Sequence, residues 1–284
     1  MGIANALAAT PVSSQDLSRF VSVPASTTVA ETVALMSSWG RSCACVVDDG
    51  RLVGIFTQRD FVQRIIGRPV TWDRPIIDEA SQSVQVIPNT ATVADGLALM
   101  NEWWIRSVPV IDEDDGLVGN LSFHTVMTTI RNMLAARVGF GSPVETAHEA
   151  LTMVDFTGLN WAGPAVLHVN ESVAKAAQNM RTRGLGSVFV IDDRETLVGE
   201  LSEFHLQTRV GCTESDLGMV TVGEVCETNL VSIGVRSSIA DGLRQILSEE
   251  VSYVPLLGGS GRPVGVASVS EIMTYVDTVL DATN

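Results

Sequence analysis

Apolar and polar positions along the chain follow one pattern, and that pattern occurs four times. In its first appearance Val21 and Val23 alternate with polar neighbours, which predicts a short half-buried strand. Thr28 then precedes Val29, Val33 and Met36, an i, i+4, i+7 stripe that predicts a helix with one apolar face. Thr28 and Glu31 have the spacing of a capping box, in which each side chain satisfies an orphan backbone N–H. Residues 43–47 are a continuous apolar run and predict a second strand. Asp48, Asp49 and Gly50 read as a hairpin turn, with the glycine taking a positive φ at low cost. Residues 52–56 predict a third strand. After Thr57, the residues Phe61, Val62, Ile65 and Ile66 recur at helical spacing. One unit is therefore β-α-β-β-α.

The most recognisable stretch of the unit is Leu52-Val53-Gly54-Ile55-Phe56-Thr57. Variants follow at Leu117-Val118-Gly119-Asn120-Leu121-Ser122, Leu197-Val198-Gly199-Glu200-Leu201-Ser202 and Pro263-Val264-Gly265-Val266-Ala267-Ser268. Thr28, Thr92, Ser172 and Ser238 align at offsets of 64, 144 and 210 residues from the first. Self-similarity at such a period is the mark of a repeat architecture. The units are expected at residues 12–68, 77–135, 150–211 and 219–281. Gly139, Gly141 and Pro143 break the helical pattern between the second and third, so the boundary between the two halves is placed there.

Composition narrows the function classes. Hydrophobic residues make up 45% of 284, ample for packed cores. No run approaches the roughly 18 apolar residues of a membrane span, and no basic region opens the chain as in a secretory signal. Cys43, Cys45, Cys212 and Cys226 show no C-x-x-C spacing and no disulfide framework, which fits a reducing cytoplasm, and Cys43 and Cys45, in an apolar strand, are expected to be buried free thiols. The net charge of −15 argues against nucleic acid and anionic membrane as partners. That charge is uneven: residues 1–140 carry −4 and residues 141–284 carry −11. Six of the 17 arginines lie between Arg41 and Arg74, which makes the first half the better host for an anion. Four successive acids, Asp112 to Asp115, read as a solvated hairpin tip, because the spaced ligands of a calcium loop are missing. His124, His148, His168 and His205 have no metal-ligand spacing, and no catalytic motif is recognisable.

The strand-to-helix junctions are the candidate sites. A hydroxyl stands at all four: Thr57, Ser122, Ser202 and Ser268. Three residues on, the column reads Asp60, Thr125, His205 and Glu271. Helix capping explains the constant first column. A ligand bound in only some units explains the variable second one.

Together, the unit order, the apolar strand ending in Asp, the Leu-Val-Gly stretch and Thr57-x-x-Asp60 resemble the CBS domain family. The resemblance covers nearly the whole chain as four units. It implies an α/β (α+β) fold in which paired units form two Bateman modules, in an arrangement similar to the gamma subunit of AMP-activated protein kinase. It also implies clefts that bind AMP, ADP or ATP. In such a cleft Asp60 accepts from both ribose hydroxyls, the Thr57 hydroxyl and helix start suit a phosphate, and the backbone of Val21, Ser22 and Val23 contacts adenine. Arg106, the one cation in a column with Ser42, Gly186 and Ser252, is placed by the resemblance at a phosphate. Ser268 with Glu271 forms the second-ranked cleft; those of Thr125 and His205 depart from the pattern. The expected function is a non-enzymatic nucleotide sensor that signals to an effector protein, with no cofactor required. The alternatives are a scaffold with vacant clefts and a binder of another adenosyl compound such as S-adenosylmethionine. The expected assembly is a homodimer, or two modules pairing within one chain.

Overall fold

The computed structural model describes residues 3–68, 72–137, 155–158, 163–211, 216–242, 245 and 253–268. Among these, twelve strands form four three-stranded sheets in a mixed α/β fold. In unit 1, β1 (Val21–Pro24) pairs in parallel with β2 (Cys43–Asp48), which pairs antiparallel with β3 (Arg51–Thr57). The same order recurs in β4 (Ile87–Pro88), β5 (Ser107–Ile111) and β6 (Leu117–Ser122), and in β7 (Val166–His168), β8 (Ser187–Ile191) and β9 (Leu197–Ser202). It recurs again in β10 (Ile233–Gly234), β11 (Tyr253–Leu257) and β12 (Pro263–Ser268).

The local signals fold as their chemistry dictates. Thr28 caps the Val29–Ser38 helix and exchanges hydrogen bonds with Glu31, as the capping box requires. Val29, Val33 and Met36 of its apolar stripe are buried. Asp49 and Gly50 turn the β2–β3 hairpin with φ of 46° and 80°. The acidic tip of the β5–β6 hairpin is held by Asp112, which accepts from the backbone of Asp114 and Gly116. Cys43, Cys45 and Cys226 are free and buried; Cys212 lies outside the described residues.

The second helix of the unit is less regular than its periodicity suggests. In unit 1 it is one turn, Gln58–Asp60, followed by a wider turn over Phe61–Ile65 with i→i+5 bonding. That widening lets Phe61, Val62, Ile65 and Ile66 all reach the core. Unit 3 repeats the device with Glu203–His205 and Leu206–Val210. In unit 2 the corresponding helix runs unbroken over Phe123–Arg137.

Two kinds of contact join the units. The first is an exchange of leading segments. Residues 12–20, grouped with unit 1 by the repeat, and Pro11 just before them lie against unit 2: Pro11 bridges Thr92, and the Asn120 backbone amide donates to the Leu17 carbonyl. The connection that opens unit 2 lies against unit 1, where Thr28 bridges Pro75 and Ile55 bridges Ser81. Units 3 and 4 do the same, with Asp155 against Ser238, Ser172 against Thr221 and Glu200 against Glu227. The glycine of the Val-Gly pair makes room for these segments. A Cβ on Gly119 would stand 2.4 Å from the Leu17 Cβ, and one on Gly199 would stand 2.4 Å from the Cys226 Sγ. The second contact is a shared core. One apolar cluster joins unit 1 to unit 3 and includes Phe56, Phe61, Met180 and Leu206. Another joins unit 2 to unit 4 and includes Val108, Leu121, Phe156 and Leu256. The two halves therefore pair within one chain. Among the described residues no helix is long and apolar enough to cross a membrane.

Candidate functional site

The end of the first sheet gathers the predicted residues of unit 1. Val21 of β1 pairs with Ala44 of β2, which pairs with Phe56 of β3, so β1 and the 57–60 turn face each other across the sheet end. Two strand spacings separate them, about 10 Å. Val21 and Val23 point into the core at 3% and 1% exposure, Ser22 and Pro24 are exposed, and the strand is an edge of its sheet. Backbone contact is thus what this strand can offer a ligand.

Thr57 is the N-cap of the turn, and its hydroxyl accepts from the Asp60 amide. Asp60 is buried, and its two oxygens do different work. Oδ2 accepts from the Thr57 amide at 2.9 Å and from the Thr57 hydroxyl at 2.6 Å. Oδ1 lies 3.3 Å from an Arg64 nitrogen and 3.3 Å from the Ser81 hydroxyl. Arg64 in turn donates to the Glu79 carbonyl and to Ser81. The capping role is therefore realised here, and it uses one carboxylate oxygen.

Arg106 makes none of the contacts just described at this cap. Its guanidinium sits over the Tyr253 ring, 5.7 Å from the centroid, beside Gly186. It belongs to a group drawn from all four units. Arg59 of unit 1 faces Glu203 of unit 3 at 3.7 Å and donates to the Trp104 carbonyl of unit 2 at 3.1 Å. Tyr253 of unit 4 donates to Glu200 of unit 3. Burial pushes the Glu203 carboxyl up, while Arg59 and Arg106 pull it back down. Burial also raises Glu200, against its hydrogen bond from Tyr253. Burial and the neighbouring Glu200 hold Tyr253 well above the usual phenol range.

Arg59, Glu200, Glu203 and Tyr253 were not singled out in the sequence. The available signal was a strand column reading Ile55, Asn120, Glu200 and Val266, in which an acid interrupts an apolar run. Asn120 of that column is fully buried, and neither amide atom has a hydrogen-bond partner among the described residues.

Unit 3 carries the turn with a different residue. The Nδ1 of His205 accepts from the Ser202 amide at 3.2 Å and lies 3.0 Å from the Ser202 hydroxyl. Burial and the nearby Arg209 push the His205 pKa down; Glu227 and the Glu200 backbone oppose that shift. In unit 2, Ser122 and Thr125 close the turn through their hydroxyls at 2.8 Å. Ser268 ends β12, and Glu271 lies outside the described residues. Among the described residues no group of three or more His, Cys, Asp or Glu could hold a metal ion.

Comparison with known proteins places these units. A Methanocaldococcus jannaschii protein, described as an archaeal homologue of g-AMPK, superposes with a TM-score of 0.72 at 14% identity over 92% of this chain and 97% of its own. At that identity the likeness concerns the fold. A Pyrobaculum aerophilum CBS domain protein complexed with AMP is 24% identical over 40% of this chain and 88% of its own, with a TM-score of 0.38. An uncharacterised 33.4 kDa protein in a ribosomal RNA operon of Thermofilum pendens is 26% identical over 196 residues, or 67% of this chain. That alignment spans 62% of the Thermofilum pendens protein, less than two thirds of its length. The CBS domain model matches residues 15–67, 77–132, 161–210 and 222–278, and the chain belongs to the CBS domain family.

Proposed function

We propose that the chain is a non-enzymatic regulatory module that binds an adenine nucleotide (AMP, ADP or ATP) in the cleft of unit 1. On this reading, binding shifts the arrangement of the four units, and an effector protein reads the shift. The observation that carries the reading is the division of work at Asp60. Oδ2 is committed to the cap at 2.6 and 2.9 Å, whereas among the described residues Oδ1 meets Arg64 and Ser81, both at 3.3 Å. Both groups that touch Oδ1 also bond to each other, and Arg64 bonds Glu79 as well. A ribose hydroxyl can take Oδ1 without opening the cap, and a hydrogen bond to a carboxylate is charge-assisted. The Val21–Val23 edge, about 10 Å away across the sheet, supplies backbone groups for a base. Arg59 and Arg106 provide positive charge for phosphate, in competition with Glu203 and Glu200. Ser268 and Glu271 are proposed as a second cleft from their place in the sequence columns alone.

A thermal-shift and calorimetric series with AMP, ADP, ATP and S-adenosylmethionine tests the reading. A ligand at 100 times its Kd should add about 2.7 kcal/mol of stability. Flat melting curves for all four would sink it. One observation favours the scaffold reading instead: Asp60 already closes its own capping box and pairs with Arg64. If that is its whole role, Asp60→Ala lowers stability and leaves nucleotide affinity unchanged.

A further inference from the structure

Glu203 of unit 3 is buried, at 8% exposure. The cap of its turn is closed by Ser202 and His205, so Glu203 takes no part in it. Its carboxylate instead faces unit 1, where Oε1 lies 3.7 Å from Nε of Arg59. The Glu203 amide donates to the Gly186 carbonyl. Gly186 lies beside the Arg106 guanidinium, since a Cβ on it would stand 3.4 Å from an Arg106 nitrogen. Unit 2 therefore brings a second cation to the same carboxylate. The matching positions in units 1, 2 and 4 are Gln58, Phe123 and Val269, so only unit 3 puts an acid there. A buried carboxylate is costly unless it is paired, and neither the cap nor the apolar core requires this one.

Among the described residues, the charged groups acting on Glu203 are Arg59 and Asp60 of the 57–60 turn and Arg106 at the start of β5. Burial and Asp60 push its carboxyl up, and the two arginines hold it down. Those arginines are also the positive charge available to a phosphate in the unit 1 cleft. They cannot serve both partners in full. A phosphate drawn to Arg59 and Arg106 takes them from Glu203 and sets a second anion beside it. Like charges in a buried site repel, and a carboxylate relieves the repulsion by taking up a proton. We propose that Glu203 is a charge filter at the phosphate end of the unit 1 cleft, opposing each added phosphate charge and yielding by accepting a proton when nucleotide binds. This inference rests on the reading of that cleft given above, and it adds the residue that sets its phosphate preference and its response to pH. Affinity then rises as pH falls, and the filter weighs more heavily on ATP than on AMP.

The test uses the full chain with Glu203→Gln, which keeps the shape of the side chain and removes its charge. AMP and ATP are titrated calorimetrically in two buffers of different ionisation enthalpy, so that proton uptake is read directly. Glu203→Gln should bind ATP roughly tenfold more tightly than the wild type does, and AMP by a smaller factor. The wild type should take up a proton on binding that the variant does not. The nucleotide's own phosphate titrates alike in both, so the difference belongs to Glu203. A purely structural role would move the melting temperature and leave the proton count alone. Equal or weaker binding by Glu203→Gln, or the same proton uptake in both chains, overturns the inference. If Asp60→Ala weakens binding in that same series, the cleft reading stands while the inference falls. If the wild type binds neither nucleotide, both fall together.

Discussion

The 57–60 and 202–205 turns are built alike and end differently. Both open with an extended hydroxyl residue, Thr57 at φ −120° and ψ 168°, and Ser202 at φ −98° and ψ 169°. Both close a capping box and run into a widened turn. Both are followed by an arginine that reaches back to the next connection: Arg64 to the Glu79 carbonyl, and Arg209 to the carbonyls of Val225 and Cys226. What differs is the third residue of the box. The fold asks only for an acceptor there, and either a carboxylate or the Nδ1 of a neutral imidazole supplies one. A carboxylate has a second oxygen left over. An imidazole does not, since its other nitrogen is a donor in that tautomer. The same local structure therefore leaves a second acceptor oxygen in unit 1, which Arg64 and Ser81 meet at 3.3 Å, and no second acceptor on the box residue of unit 3.

The largest test of this contrast is Asp60→Ala. Loss of hydrogen bonds to a charged acceptor, worth about 1.5–3 kcal/mol, should weaken AMP or ATP binding roughly ten- to a hundredfold. Thr57 still caps the turn in this variant, so loss of the favourable dipole interaction should cost about 0.3–1 kcal/mol of stability, read by urea denaturation. Thr125→Ala in unit 2 should leave affinity unchanged. Equal binding by wild type and Asp60→Ala moves the ligand elsewhere. Next in size is His205→Asp, which gives unit 3 the charged acceptor of unit 1. It should stabilise the fold by about 0.3–1 kcal/mol through the helix dipole.

The pH dependence sharpens the same comparison. His205 has a lowered pKa in the fold, so the unfolded chain binds more protons there. Its contribution to stability is present above the unfolded value of about 6.5 and is lost as pH falls through the folded one. Glu200 and Glu203 are raised, so their contribution is present below the unfolded value of about 4.3 and is lost as pH rises through the folded one. His205→Gln should therefore flatten the loss of stability on the acid side of neutrality, and Glu203→Gln should flatten the opposing slope. Melting curves from pH 5 to 8 separate the two. The smallest effect is expected from Arg209→Ala. Its ion pair with Glu227 has side chains 38% and 33% exposed, and exposed pairs contribute about 0–1 kcal/mol. A much larger cost would mean that the carbonyl contacts of Arg209, not the cap, hold the turn.

Much of this was legible in the residues. The repeat, the Thr28–Glu31 box and the Asp49-Gly50 turn depend on neighbours in sequence, where propensity and spacing act directly. The Val-Gly pair was visible as a pattern, but its reason was not: Gly119 is small because Leu17 of another unit's leading segment passes over it. The meeting of Arg59, Arg106, Glu203 and Tyr253 depends on how units far apart in the chain are registered, and no local periodicity encodes that. Whether Asp60 caps a helix or recognises a ribose was open in the sequence, because both tasks ask for the same residue at the same place. The structure shows the cap, and the geometry of the second oxygen is what the proposed ribose contact rests on.

The exchange of leading segments ties unit 1 to unit 2 and unit 3 to unit 4, while the shared cores tie unit 1 to unit 3 and unit 2 to unit 4. Four bodies joined at four seams behave as a closed linkage. On the proposed reading, a strain introduced at one joint would be carried around the ring to the joint opposite, and a small molecule that tightens one corner would be felt at a surface it never touches.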